Sequence, residues 1–279
     1  MAKLSGLYRP TTLPEALSLL AGDLDAKPIS GGATLVAMMN AHVIEPDALV
    51  SLAAIEELRG ISEQSDGALR IGAFTRHRET ASDARLKDTL FVVRDAASQI
   101  ANAVVRNMGT IGGSIAFADP GLDYPPALVA ADAEVELASV QGMRRVAAGK
   151  FFLDWYATAL EPGEIVSAVL LPKPSKGVSR YHKVARVSGD YAIVSVAISR
   201  TAGAGTRVAV GACGPTPIHS DEADALLAKE ASSANIARAG EILVGLADPV
   251  DDVRGTADYR RTLIPRLLER AVRDLERAQ

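Results

Sequence analysis

The sequence predicts an α+β protein in three parts, and three observations carry that prediction. Residues 13–52 read as helix, strand, glycine loop, helix and strand, a small α/β unit. From 55 to 172 the pattern changes to short alternating strands around a helical insert. Past a proline- and lysine-rich linker at 172–177, three alternating strands precede three helical runs. The parts are therefore bounded at 1–54, 55–174 and 175–279.

In the first part, 14–21 has helical apolar spacing, with Thr12 placed to cap it and Gly22 to end it. Pro46 and Asp47 mark the turn into a short buried strand at 48–52. In the second part, 68–73 alternates like an edge strand, 90–105 reads as one helix, and 134–137, 144–146 and 164–170 read as strands. Asp123, ahead of Tyr124-Pro125-Pro126, fits either a helix N-cap with prolines in the first turn or a direct contact with a ligand. In the third part, strands at 180–187, 191–200 and 207–212 precede helices at 222–228, 235–246 and 256–277, the last with a solvated charged face. Trp155 lies in the densest aromatic cluster of a chain with only 4% aromatic residues, so it is expected in the core.

Composition narrows the function. The 279 residues are 48% hydrophobic and 23% charged, a mixture able to bury a sizeable core. A net charge of −4 and a pI near 5.7, without a basic block, argue against nucleic acid and against an anionic membrane surface as partners. The single Cys213 excludes an internal disulfide and cannot hold an iron–sulfur cluster, which needs about four thiolates; a small buried thiol is expected there. His42, His77, His182 and His219 show no metal-ligand spacing, so no metal site is expected. Residues 1–22 lack the pattern of a signal peptide, and no window approaches the ~20 apolar residues of a membrane span. A cytoplasmic protein is the expectation.

Two glycine loops carry the chemistry. Ser30-Gly31-Gly32-Ala33-Thr34 lies between a strand and a helix-like run, which places backbone donors and the positive end of a helix dipole at one spot, as a phosphate requires. Gly109-Thr110-Ile111-Gly112-Gly113-Ser114 packs three glycines into five positions, so its backbone can approach an oxyanion closely. Neither loop is a Rossmann or Walker fingerprint. Two cradles fit one diphosphate held between two halves.

The run Arg106-Asn107-Met108-Gly109-Thr110-Ile111-Gly112-Gly113-Ser114, with Ala118-Asp119-Pro120 and Asp123-Tyr124-Pro125 behind it and Ser30-Gly31-Gly32-Ala33-Thr34 ahead of it, resembles the FAD-binding medium subunit of the molybdenum hydroxylases, the family of carbon monoxide dehydrogenase and xanthine dehydrogenase. Gly211-Ala212-Cys213-Gly214-Pro215-Thr216-Pro217 and Arg254-Gly255-Thr256-Ala257-Asp258-Tyr259 extend the likeness to the C-terminal part. The first loop departs from the family's usual Ala-Gly-Gly-His-Ser at Ser30, Ala33 and Thr34, which removes any contact made by that histidine ring. The resemblance implies a two-part FAD-binding domain of the vanillyl-alcohol-oxidase type and a C-terminal domain with a three-stranded antiparallel sheet and a helical bundle.

By the same resemblance, FAD is the cofactor, and the two loops, Asp123 and Val166 contact it, with Lys183 near the pyrimidine end of the ring and Tyr191 over one face. Without the family, Lys183 reads as a solvated charge and Tyr191 as a packed ring. No nucleophile–base or paired-carboxylate arrangement is legible, so the chemistry is left to the cofactor. The implied function is electron transfer, from a small subunit with two two-iron two-sulfur clusters, beside a molybdenum-pterin large subunit, to NAD⁺, a quinone, oxygen or another carrier. The implied assembly is a dimer of heterotrimers. A self-sufficient FAD oxidoreductase of the wider superfamily and a nucleotide-binding regulatory module are the alternatives.

Overall fold

The computed structural model describes residues 6–22, 25–203 and 205–278. The first part runs β1 (Gly6–Tyr8), α1 (Leu13–Leu20), β2 (Ala26–Ile29), α2 (Leu35–Asn40) and β3 (Ala48–Ser51), and its sheet is parallel in the order β1-β3-β2. Thr12 caps α1 by accepting from the Glu15 N–H. Leu13, Ala16 and Leu17 of that helix pack on Val50, Leu52, Ile55 and Leu58, and this core continues into Phe74, Ala138 and Ile165 of the next part. Shared burial of that kind fixes the first glycine loop against the second unit.

The second part contains β4 (Ile61–Glu63), β5 (Leu69–Gly72), α3 (His77–Ser82), α4 (Phe91–Ser98), α5 (Ala103–Met108), α6 (Ile111–Phe117), α7 (Tyr124–Ala130), β6 (Glu134–Ser139), β7 (Gly142–Ala147), α8 (Ala148–Phe151), β8 (Phe152–Asp154), β9 (Ala157–Thr158) and β10 (Ile165–Leu171). Its five-stranded sheet is antiparallel in the order β4-β5-β10-β6-β7, with β8 and β9 a separate ribbon. The strand expected at the edge, β5, is internal, because β4 covers its outer side.

The helix expected over 90–105 is two helices. Ala101 takes a left-handed φ of 41°, Asn102 caps α5 by accepting from the Val105 N–H at 3.0 Å, and the Arg106 guanidinium holds the carbonyls of Ile100 and Ala101 at 2.7 and 2.8 Å. The second glycine run is likewise the start of a helix, α6, and joins two helices instead of a helix to the sheet. Trp155 is 41% exposed; the aromatic core contact nearby is Phe151 against Phe152, edge to face at 5.1 Å.

The third part is the antiparallel sheet β11 (Gly177–Val184), β12 (Val194–Thr201), β13 (Gly205–Gly211) and β14 (Ile218–His219), in that order, backed by α9 (Asp221–Lys229), α10 (Ser233–Gly245) and α11 (Ala257–Arg277). The two-residue β14 makes a fourth strand where three were expected. One face of the sheet, through Val196, Ile198, Val208 and Val210, packs on Leu243, Leu268, Val272 and Leu275 of the helices. Tyr181, Ala197 and Ala209 face the other way, into the core around α4 and α7.

Candidate functional site

A cavity of about 410 Å³ lies where the three parts meet, within the roughly 300–1,000 Å³ range of small-molecule and cofactor sites. Of the expected cofactor contacts, Ser30, Gly31, Gly32, Ala33, Thr34, Gly109, Thr110, Gly112, Gly113, Ser114, Asp123, Val166 and Tyr191 line it. Ile111 does not: its side chain is fully buried in the core beneath the loop. Lys183 does not line it either, and lies behind Asp123.

The two glycine loops touch. Ser30 Oγ lies 2.8 Å from Thr110 Oγ1, and a Cβ on Gly31 would come within 1.9 Å of the Met108 carbonyl oxygen. A Cβ on Gly112 would lie 2.4 Å from the Ala73 Cβ, so this glycine lets α6 sit against the sheet. Gly32 holds φ at +73°, and Gly113 faces the gap between the loops, with Ser30 Cβ 3.8 Å from where its own Cβ would stand.

The loops differ in the donors they offer. Within the described residues, the N–H groups of Gly31, Gly32, Ala33 and Thr34 bond to no protein acceptor, whereas those of Gly109, Ile111, Gly112 and Ser114 are taken by the carbonyls of Val105, Thr75, Ala73 and Thr110. The Gly113 N–H is taken by Thr110 Oγ1 at 3.2 Å. The first loop thus offers free backbone donors to an anion. The second loop supplies shape and hydroxyls more than free amides, so the two loops are unlike as donors.

At the other end of the cavity stands Asp123. Its side chain caps nothing: its backbone is helical and no N–H of α7 bonds to it. Instead Oδ1 receives the Tyr181 hydroxyl at 2.6 Å and Lys183 Nζ at 2.9 Å, and Lys183 also donates to the Gln99 carbonyl at 2.9 Å. Both side chains of the ion pair are under a tenth exposed. Burial pushes the Asp123 carboxyl up from the ordinary range against the pull of Lys183 and Tyr181, and pushes the Tyr181 hydroxyl well above its usual value. With Oδ1 used twice, Oδ2 is the oxygen left for a ligand.

Tyr191 is 37% exposed and lines the cavity beneath Arg254, whose guanidinium carbon lies 4.9 Å from its ring centre. Glu164, also in the wall, holds Arg144 through two contacts of 2.7 Å, which keep its carboxyl below the usual range. Wall residues missed in the sequence include Leu35, Met38, Ile44, His77, Leu122 and Ile165. The apolar ones carry no signal that separates a cavity wall from a core. His77, at the start of α3, carries no mark in the sequence either. Cys213 is fully buried, with its thiol pushed up to about 12, and stands away from this wall. Although the sequence spacing offers no metal motif, His219, Asp221 and Asp224 bring ligand atoms within 4.8 Å of one another. They form an ion-paired group at the start of α9, outside the cavity.

A cavity between the parts, lined largely by apolar side chains and carrying a loop of unbonded backbone amides, has the form of a small-molecule or cofactor site. Comparison with known proteins gives the rest. Residues 2–174 match the FAD binding domain in molybdopterin dehydrogenase, and residues 179–275 match the CO dehydrogenase flavoprotein C-terminal domain. The carbon monoxide dehydrogenase medium chain of Hydrogenophaga pseudoflava is 33% identical over 273 residues, covering 95% of this chain and 94% of that one. The xanthine dehydrogenase FAD-binding subunit of Escherichia coli O157:H7 is 29% identical, covering 80% and 79%. A crystal structure of the Cu,Mo-CO dehydrogenase superposes with a TM-score of 0.94 at 31% identity over the whole of both chains. Quinoline 2-oxidoreductase from Pseudomonas putida 86 gives 0.91 at 29%, covering 100% and 99%. The chain belongs to the family of FAD-binding medium subunits of molybdenum hydroxylases, and it is an oxidoreductase subunit whose cofactor is FAD. No helix among the described residues is long and apolar enough to cross a membrane.

Proposed function

We propose that this chain holds FAD along the cavity and relays electrons from iron–sulfur clusters on a partner chain to an external acceptor. The observation that carries the proposal is the single cavity that joins the open amide cradle at Gly31–Thr34 to the buried Asp123–Lys183 pair. In this reading the cradle receives the diphosphate. The adenosine lies toward Leu35, Met38 and Ile44, and the flavin ring toward Leu122, Asp123, Val166 and Tyr191. FAD, when bound, supplies storage for two electrons and the ability to pass them on singly or as a pair.

The chain's own residues bind and tune. Asp123 Oδ2 accepts an N–H of the ring's polar edge, while Lys183 and Tyr181 hold its Oδ1 in place and offset its charge. Tyr191 covers a ring face and keeps water from it, held by Arg254. Thr34 and Ser114 offer hydroxyls to the ligand, and Thr110 fixes the loops to each other through Ser30. The wall holds no nucleophile with a base beside it, consistent with substrate oxidation on another chain.

The partners in this reading are a molybdenum-pterin large subunit and an iron–sulfur small subunit, in a dimer of heterotrimers. The test is anaerobic. The FAD-loaded chain is mixed with aldehyde, heteroaromatic or carbon monoxide substrates, with and without the metal-bearing chains. Flavin bleaching is expected only with all chains present, and rapid bleaching by the chain alone would overturn the relay reading.

A further inference from the structure

We propose that His77 is a positioning residue for the diphosphate, donating its Nε2 proton to a ligand oxygen at the Gly109–Thr110 side of the cavity. This rests on the FAD reading above and concerns a residue that the reading does not use. His77 opens α3, lines the cavity and is 4% exposed. Its backbone N–H donates to the Gly109 carbonyl at 3.0 Å, which ties α3 to the second loop. Its Nδ1 lies 3.2 Å from the Tyr124 hydroxyl, and its Nε2 bonds to nothing among the described residues. A Cβ on Gly109 would stand 2.5 Å from that same Nε2, so the nitrogen points at the loop where the glycine leaves room. Nε2 is not sealed in the core but keeps access to the cavity that His77 lines, so a ligand oxygen can reach this unpartnered donor.

The charges around the cavity make that donor matter. Among the lining residues Lys27 is the one side chain carrying a full positive charge, and Asp25 already pairs with it at 2.9 Å; Asp123, Glu164 and Asp190 are acidic. A diphosphate must therefore be held by neutral donors. The first loop has free amides, but the second loop has spent most of its own on Thr75, Ala73, Val105 and Thr110. His77 supplies on that side what the amides do not. Burial and the nearby Arg106 hold the imidazole neutral, with its pKa lowered to about 4. Burial also keeps the Tyr124 phenol protonated. A Tyr124 O–H donated to Nδ1 then leaves the proton on Nε2, the tautomer that an anion selects.

The experiment uses the full flavin-free chain and three probes: FAD, ADP, which has the diphosphate without the ring, and riboflavin, which has the ring without phosphate. His77→Phe fills the ring's space without a donor, and His77→Gln keeps an N–H at similar reach. The expected result is a loss of roughly tenfold to a hundredfold in affinity for FAD and ADP in the Phe variant, the range of a hydrogen bond to a charged group. The Gln variant should recover most of it, and riboflavin binding should be the same in all three proteins. In the parent protein, ¹⁵N spectra of its four histidines should show His77 in the Nε2–H tautomer, with its Nε2 signal moving on ADP addition. This measurement decides the matter even if the Phe variant fails to fold. A Phe variant that binds ADP like the parent, an equal loss for riboflavin, or an unmoved Nε2 signal overturns the proposal while leaving FAD binding intact. A parent chain that binds neither FAD nor ADP overturns the FAD reading itself.

Discussion

Lys183→Met removes one half of a buried ion pair and leaves the other half in place. Lys183 and Asp123 are 2.9 Å apart, with 4% and 8% of their side chains exposed, so neither charge can turn to water. Breaking such a pair from one side costs roughly 3–5 kcal/mol, because the remaining carboxylate is stranded. At about 2–4 °C per kcal/mol for a chain of this size, the melting temperature should fall on the order of 10 °C. The sign of the pH dependence is fixed. Asp123 already titrates above the ordinary carboxylate range in the folded state, and loss of Lys183 raises it further. A raised folded pKa means stability is retained below the unfolded value and lost as pH climbs through the folded one. The deficit should therefore be larger at pH 8 than at pH 5, and Asp123→Asn added to Lys183→Met should restore most of the lost stability. In the proposed placement of FAD, with its ring beside Asp123, the single variant should lower the flavin midpoint potential at pH 8, since a bare carboxylate there opposes reduction; the double variant should return it toward the parent. A single variant as stable as the parent at pH 8, or a deficit equal at both pH values, would refute the reasoning.

Further outcomes follow from the loops and the buried groups. Gly31→Ala and Gly112→Ala should disturb loop packing and lower the melting temperature, since their Cβ atoms would meet Met108 O at 1.9 Å and Ala73 Cβ at 2.4 Å. Gly113→Ala meets only Thr110 Oγ1 at 3.1 Å and should keep its fold, while Gly113→Val should fold and lose FAD on gel filtration; a Gly113→Val chain that stays yellow counts against the cavity's use. His77, neutral when folded with a pKa lowered to about 4 from 6.5, contributes stability above pH 6.5 that disappears as pH falls through 4; at about 1.4 kcal/mol per pH unit this is on the order of 3 kcal/mol. His77→Gln should flatten chemical-denaturation midpoints across that window, and an unchanged slope would show that another group carries it. Cys213, with its thiol pushed up to about 12, should resist iodoacetamide at pH 8 until the chain is unfolded, and labelling at the rate of a free thiol would place it at the surface.

What the sequence made legible was local. Thr12 capping α1, the strand–glycine–helix run at 29–40, and the alternating strands of the third part depend on neighbours within a few residues, and each has its expected place. The helix break at 100–102 was local too, but its marks are an alanine in a left-handed conformation and an asparagine cap, with no glycine or proline to announce them. Trp155 misled because aromatic density in sequence says nothing about which rings a fold buries: Phe151 and Phe152 went inward and Trp155 did not.

The site itself was half legible, and the dividing line is the distance over which a donor finds its acceptor. Glycine marks where a backbone can be approached, yet it does not say whether the amides there are free. The second loop is the richer in glycine, yet its amides are spent because β5 and the turn after it bring the Ala73 and Thr75 carbonyls alongside. Asp123 shows the same thing from the other side. Its neighbours Tyr124-Pro125-Pro126 suggest a cap, but Tyr181 and Lys183, 58 residues and more away, arrive on β11 and claim the carboxylate. Those two side chains alternate inward on a strand whose register with β12 sets them opposite Ala197 and Ser195, so the sheet of the third part determines how the polar end of the cavity is charged. The wall of the cavity thus draws on all three parts: the loop at Gly31–Thr34 belongs to the first, Asp123 to the second, and Tyr191 to the third, whose Lys183 and Tyr181 stand behind Asp123.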